Sequence, residues 1–283
     1  MEKNVHVHLV SDSTGETLNA IVNAALAQFE GVEVNTHAFA LVRSEQQLQR
    51  ALDQITQNSG LVFFTLVNPA LRQKLLAHCA ALQTPCMDVM ERPVSVLRRF
   101  LGTAETHRPG GQHEVDRRYL DRIEALNFTM QHDDGQSLDS INDADVILVG
   151  ASRTSKTPTC VHLATRGVRA GNIPLVPGVP LPPALLAATR PMIVGLWVSP
   201  DRLVQVRRNR LASMGEARDT DYVDPELVRA EMAATRKLYD QQEWPVIDVS
   251  RRSIEETAAA VLNLLSERQE KEKTEKVRAG AGS

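Results

Sequence analysis

The chain lacks a surplus of basic residues, a cysteine framework and any apolar run of membrane-spanning length. Lys and Arg number 32 against 35 Asp and Glu, a formal net charge of −3. Binding to a nucleic-acid backbone draws on a strong basic surplus, so nucleic acid is excluded as the main partner. The three cysteines, Cys79, Cys86 and Cys160, form no CxxC pair and no metal-ligand spacing. An odd, sparse count fits a reducing compartment better than a disulfide scaffold. The opening MEKNVHVHLV is too short an apolar run for a signal peptide. No stretch approaches the roughly 18 uninterrupted apolar residues of a membrane span. These absences together predict a cytoplasmic protein with no membrane partner.

What is present is an ordinary globular balance. Hydrophobic residues make up 42% and charged residues 24% of 283, enough for one large α/β domain or two modest ones. Val5 to Val10 reads as a strand, and Leu18, Ile21, Val22, Ala25 and Leu26 then fall at helical spacing. Strands follow at Val32 to Ala40, Leu61 to Val67 and Cys86 to Val89, with helices at Ser44 to Ile55 and Asn68 to Leu82. This alternation predicts a doubly wound parallel sheet over residues 1–102. Residues 103–140 read as a linker around Pro109-Gly110-Gly111 followed by a connecting amphipathic helix through Met130.

A second α/β series occupies 141–267. Its strands are Ala144 to Val149, Ile173 to Val176, Met192 to Trp197 and Val246 to Val249. Its helices are Lys156 to Arg166, Pro200 to Ser213, Pro225 to Asp240 and Ser253 to Glu267. The charged, then Ala/Gly-rich tail 268–283 is expected to be disordered.

Chemistry concentrates after the apolar strand 144–149. Gly150, Ala151, Ser152, Arg153, Thr154, Ser155, Lys156 and Thr157 match the phosphate-loop pattern G-x-x-x-x-G-K-[ST] except at the second glycine, where Ser155 stands. In such a loop backbone N–H groups wrap a phosphate and the helix N-terminus adds partial positive charge. The lysine reaches a terminal phosphate, and the hydroxyl of the last residue can ligate Mg²⁺. Serine tolerates the unusual backbone angle of that glycine less well. An ordinary βα turn, with a capping Ser or Thr and a solvated lysine, is the plain alternative. A nucleophile elbow at Gly150-x-Ser152-x-Thr154 is a rival, but no histidine follows His162, so the usual order of hydrolase residues cannot be completed.

The sequence resembles the bacterial pyruvate, phosphate dikinase regulatory proteins, with the phosphoenolpyruvate synthase regulatory proteins as close relatives. The resemblance is carried in order by Ser11-Asp-Ser-Thr-Gly-Glu-Thr17, Arg122-Ile-Glu-Ala-Leu-Asn-Phe128, His132-Asp-Asp-Gly135 and GASRTSKTPT from Gly150 to Thr159. It continues in Asn172-Ile-Pro-Leu-Val-Pro177, Trp244-Pro-Val-Ile-Asp-Val249 and Arg252-Ser-Ile-Glu-Glu-Thr-Ala258. The Thr-Ser-Lys form of the loop is more similar to the dikinase branch, and within that pattern Ser155 is no departure. His162 stands where an aromatic residue is expected. The resemblance implies a P-loop nucleotide-kinase-like C-terminal domain and a bifunctional enzyme. One activity would transfer phosphate from ADP to a threonine of the dikinase, releasing AMP. The other would remove it with inorganic phosphate as co-substrate, yielding pyrophosphate. ADP would bind at residues 150–157, the partner would be the dikinase, and the same reading admits a homo-oligomer.

Phosphoryl transfer needs positioning and charge neutralisation more than covalent chemistry. H-R-D, D-F-G and G-x-G-x-x-G signatures are absent, so a protein kinase here would be built on a nucleotide-kinase core. Lys156 is the first catalytic candidate. Arg207 and Arg210, three apart on a predicted helix, are candidates for neutralising charge, with a solvated basic face as the alternative. Asp12, at a strand's carboxyl end, is a candidate base on a threonine hydroxyl, while Ser13-x-x-Glu16 also reads as a capping box. Thr157 and Asp248 are the candidate Mg²⁺ residues. His132-Asp133-Asp134 can bind a metal or orient a hydroxyl, or simply end a helix. Ser253 and Glu256 form a capping box. A small-metabolite kinase and a nucleotide-sensing module without chemistry are the competing functions.

Overall fold

A computed structural model describes residues 3–106, 117–214 and 221–280. The chain divides into two compact units, Met1–Glu114 and Val115–Ser283.

Unit 1 alternates β1 (Lys3–Ser11), α1 (Glu16–Leu26), β2 (Val32–Phe39), α2 (Glu45–Gln57), β3 (Gly60–Thr65), α3 (Pro69–Ala81), β4 (Cys86–Asp88) and α4 (Glu91–Leu101). All strand pairs are parallel, in the order β2-β1-β3-β4. Alternate residues of β1 serve opposite faces. Val7 and Leu9 pack with Leu18 and Val22 of α1, while Val10 joins Leu48, Leu52, Leu71 and Leu75 of α2 and α3. This two-sided burial is what an all-parallel sheet requires. Local chemistry sets the helix starts: Ser44 and Gln47 form a capping box on α2, and Asn68 caps α3 with Pro69 in its first turn.

Unit 2 holds α5 (Arg117–Gln131), two 3-10 turns (Asp133–Gly135 and Leu138–Asp143), β5 (Val146–Gly150), α6 (Lys156–Ala164), β6 (Ala170–Pro174) and α7 (Pro183–Ala187). It continues with β7 (Met192–Trp197), α8 (Pro200–Ser213), α9 (Pro225–Gln241), β8 (Val246–Asp248) and α10 (Ile254–Gly280). Its sheet is again parallel, in the order β6-β5-β7-β8. Every residue of β5 is buried, which places the segment after it at the carboxyl edge of a sheet covered on both faces.

Backbone contact at that edge is close. A Cβ on Gly195 would lie 2.7 Å from the Tyr239 ring, and one on Gly150 would lie 2.9 Å from Leu196 O. The glycines let Tyr239 settle across β5 and β7, its hydroxyl 3.0 Å from both Val149 O and Leu196 O. One phenol thus ties the two strand ends beneath the loop.

The structure departs from the expected elements in several places. Helix α4 has no buried residue among its apolar positions, so no core-facing stripe marks it in the sequence. The connecting helix α5 packs on α6 and β6 rather than standing between units, with Thr129 Oγ1 donating to Ala170 O at 2.7 Å. Residues 268–280, expected to be disordered, continue α10, aided by pairs such as Arg268–Glu272 at 2.9 Å. The turn Pro109-Gly110-Gly111 lies outside the described residues. Ser253 and Glu256 do form their capping box, with bonds of 2.8 and 3.1 Å. Ser13 does not cap α1: Gly15 takes the N-cap position at φ 81°, with no side-chain cap. No described helix is long and apolar enough to cross a membrane.

Candidate functional site

The loop between β5 and α6 turns through two left-handed residues, Arg153 at φ 74° and Ser155 at φ 61°. Neither is glycine, so each costs about 1–2 kcal/mol that the surrounding structure must offset. Ser155 therefore adopts the very conformation for which a phosphate loop usually employs glycine. Left-handed residues within a turn are how backbone amides form anion-binding concavities. Ser155 begins α6 with no side-chain cap on its first N–H groups. The helix N-terminus adds partial positive charge at the same point.

Lys156 is not a solvated lysine: it is 6% exposed. Its Nζ donates to Gly150 O and Ala151 O, each at 3.0 Å, folding the ammonium back over the loop. Burial lowers its pKa to about 8, against the opposing pull of Asp134, Cys160 and Asp133. Thr154 Oγ1, also buried, donates to Ala151 O at 3.0 Å and closes the turn from inside. Burial of the lysine and the missing side-chain cap together remove the plain reading of a capped βα turn. The nucleophile elbow fares no better, because Ser152 Oγ has only Tyr222 Oη near it, at 3.3 Å, among the described residues.

Thr157 meets a carboxylate that the sequence reading did not pair with it. Its Oγ1 donates to Asp133 Oδ1 at 2.8 Å. Asn172 Nδ2 donates to the same Asp133 oxygen and lies 3.3 Å from Thr157 Oγ1. Asn172 Oδ1 in turn accepts from Asp134 N–H at 3.1 Å. Buried Asn172 on β6 thus fixes both the 133–134 turn and the first turn of α6. Asp248, expected beside Thr157, lies instead at the end of β8, separated from β5 by β7. Its Oδ1 accepts from Ser250 N–H at 2.9 Å and Ser250 Oγ–H at 2.6 Å, a local turn. Of the pair named from sequence, only Thr157 belongs to the loop, and Asp133 is its partner. His132 is structural: its ring stacks on Phe128 at 3.7 Å, and both nitrogens are engaged, by Phe128 O and Ser140 Oγ at 2.8 Å each. No group of three or more His, Cys, Asp or Glu among the described residues can hold a metal by itself. A Mg²⁺ ion needs less, since it keeps waters and substrate phosphates as ligands.

The two arginines part company. Arg207 is 3% exposed and makes a two-pronged ion pair with Glu231, both contacts at 2.8 Å. It also donates to Ser152 O at 3.3 Å and Tyr222 O at 3.2 Å, and its guanidinium lies 4.4 Å from the Tyr222 ring centre. Its charge is neutralised by Glu231, so Arg207 braces the phosphate loop rather than presenting a free cation. Arg210, expected on the same face, is exposed.

Asp12 belongs to unit 1. It is 4% exposed, its Oδ2 accepts from Val67 N–H at 2.7 Å, and burial raises its pKa. It lines a cleft of about 720 Å³ at the carboxyl ends of β1, β3 and β4.

Comparison with known proteins places the chain among relatives. The family described as Kinase/pyrophosphorylase matches residues 7–262. A protein of Caulobacter vibrioides named "Putative pyruvate, phosphate dikinase regulatory protein" is 54% identical over 261 residues, 92% of this chain and 83% of that protein. Proteins of the same name from Hyphomonas neptunium and Maricaulis maris are 53% and 49% identical, over 93% of this chain in each case and 95% and 94% of their own lengths.

Proposed function

The chain belongs to the kinase/pyrophosphorylase family, and from that premise we propose that it regulates pyruvate, phosphate dikinase by reversible threonine phosphorylation. In the forward direction ADP is the donor, AMP leaves and the dikinase is inactivated. In the reverse direction inorganic phosphate accepts the phosphoryl group, giving pyrophosphate and active dikinase.

The observation that carries the proposal is the pairing of a buried, folded-back Lys156 with a loop held left-handed at Arg153 and Ser155. In this reading the amides of residues 150–157 hold the diphosphate of ADP. Lys156 exchanges its two carbonyl partners for a terminal phosphate oxygen and neutralises charge as the phosphorus is transferred. Arg207, clamped by Glu231, keeps Ser152 in place while this occurs. The same anion pocket holds inorganic phosphate in the reverse reaction. Thr157 Oγ1 and Asp133 Oδ1, 2.8 Å apart, fit a divalent cation such as Mg²⁺, which when bound neutralises phosphate charge.

The test is incubation of the chain with competent dikinase and ADP, read by mass spectrometry of the dikinase and by nucleotide analysis. AMP and one phosphothreonine are expected. A competent dikinase left unmodified rejects the proposal. Phosphothreonine on phosphoenolpyruvate synthase instead assigns the chain to the sister target, and turnover of a small acceptor alone assigns it to metabolite kinases.

A further inference from the structure

Beside the phosphate loop in unit 2 lies a second cleft, of about 490 Å³. One wall is the chain from Ile173 to Pro182. The other is the face of α9 bearing Ala234, Thr235 and Leu238, and the Asp134-Gly135 turn closes one end. Four prolines in the first wall fix its backbone, so the cleft is largely preformed. Leu175 N–H donates to Gly150 O at 2.9 Å, which makes this wall continuous with the phosphate loop. Val176 and Val179 stand 52% and 61% exposed at the rim.

The chemistry of the lining selects its occupant. Its charged residues are Asp134 and Glu231, and Glu231 is already paired with Arg207. No cation lines the cleft to receive a polyphosphate, and no aromatic ring lines it to stack on a nucleobase. Apolar walls leading to one carboxylate suit an extended polypeptide that carries a hydroxyl among apolar side chains. Asp134 is exposed, and its carboxylate makes no hydrogen bond or ion pair with the described residues. Its backbone is nevertheless fixed, at φ 49° and through Asn172 Oδ1, one residue from the carboxylate that holds Thr157.

We propose that this cleft is the acceptor site, taking a polypeptide segment with a threonine or serine between apolar residues, and that Asp134 is the catalytic residue that accepts the hydroxyl proton. The inference rests on the function proposed above. In the forward step the acceptor oxygen forms a bond to the β-phosphorus of ADP. The bond from that phosphorus to the oxygen shared with the α-phosphate breaks, AMP leaves with the electron pair, and the hydroxyl proton passes to Asp134. In reverse, an oxygen of inorganic phosphate attacks the phosphorus of the phosphorylated side chain. Pyrophosphate forms, and Asp134 returns the proton to the departing hydroxyl oxygen.

The experiment uses the full chain, purified dikinase and ADP, with steady-state kinetics beside calorimetry of ADP binding. The double variant Val176→Asp/Val179→Asp changes only exposed rim residues and is expected to raise the KM for the protein acceptor about tenfold, with ADP affinity kept. Asp134→Asn is expected to lower kcat by about a hundredfold or more, with the acceptor KM kept. Wild-type KM and kcat in both variants overturn the inference while leaving the proposed function intact. Loss of ADP affinity in the rim variant also overturns it, because the cleft would then hold the nucleoside. If the unaltered chain makes no phosphothreonine, the proposed function itself falls and this inference falls with it.

Discussion

Replacing Lys156 with methionine should abolish ADP binding and yet make the free protein more stable. Burial holds the Lys156 pKa at about 8 instead of 10.5. At about 1.4 kcal/mol per unit, keeping the buried group charged at neutral pH costs the folded state on the order of 3 kcal/mol. Methionine keeps most of the volume and removes that cost. It also removes two hydrogen bonds, but neither acceptor is orphaned: Gly150 O still accepts from Leu175 N–H, and Ala151 O from Thr154 Oγ1. Their loss is therefore worth about 1–2 kcal/mol together, at the low end for such bonds because no acceptor is left unpaired. The net gain is on the order of 1 kcal/mol, or roughly 2–4 °C for a domain of this size. The pH dependence carries a sign as well. Between about 8 and 10.5 the unfolded chain holds a proton on this lysine that the folded chain has released, so wild-type stability rises with pH across that window. The variant should lose that rise. Thermal denaturation from pH 7 to 10, with ADP calorimetry at pH 7, checks both halves. A variant that is less stable at pH 7, or that still binds ADP, refutes the reasoning.

Three further outcomes follow from the same contacts. Asp133→Ala should weaken Mn²⁺ binding in the presence of ADP about 10–100-fold by spin-resonance titration, whereas Asp248→Ala should not; the reverse pattern contradicts the Thr157–Asp133 assignment. Arg207→Lys should destabilise unit 2 by about 2–4 kcal/mol in urea, because lysine cannot make the two-pronged pair with Glu231 and still reach Ser152 O. Arg210→Ala should then be silent, and equal losses at both positions would defeat the distinction. Asp12→Asn should raise the melting temperature at pH 7. Asn keeps an acceptor for Val67 N–H, and the Asp12 pKa lies above 3.8 in the folded chain, so wild-type stability falls as pH rises from there through the folded value. A lower melting temperature in the variant would show that the Asp12 charge is instead stabilising.

Patterns local in sequence were legible without the structure. The alternation of strands and helices, the parallel sheet of the first unit and the loop 150–157 could be read because hydrophobic periodicity, proline and capping residues act over a few positions. Helix α8 was bounded from sequence at Pro200 and Ser213, where the structure places it. Partnerships across the sheet were not legible. Asp133 reaches Thr157 across 24 residues and Glu231 reaches Arg207 across 24 more, with nothing in either stretch to single out the partner. Asp248 sat at a strand end, as a metal-supporting carboxylate should, but strand order put β7 between it and the loop. Ser155 looked like a defect because propensity disfavours a left-handed serine; the surrounding turn overrides that preference. Ser13 and Glu16 had the spacing of a capping box, and Gly15 at φ 81° started the helix without it.

The central claim is that the loop holds ADP so that its terminal phosphorus is the one transferred. ADP carrying radiolabel only in the β-phosphate, incubated with the chain and dikinase, tests it most directly. The account predicts label on a dikinase threonine and an equal amount of unlabelled AMP. Label that stays on the nucleotide while ATP alone supports phosphorylation would contradict it.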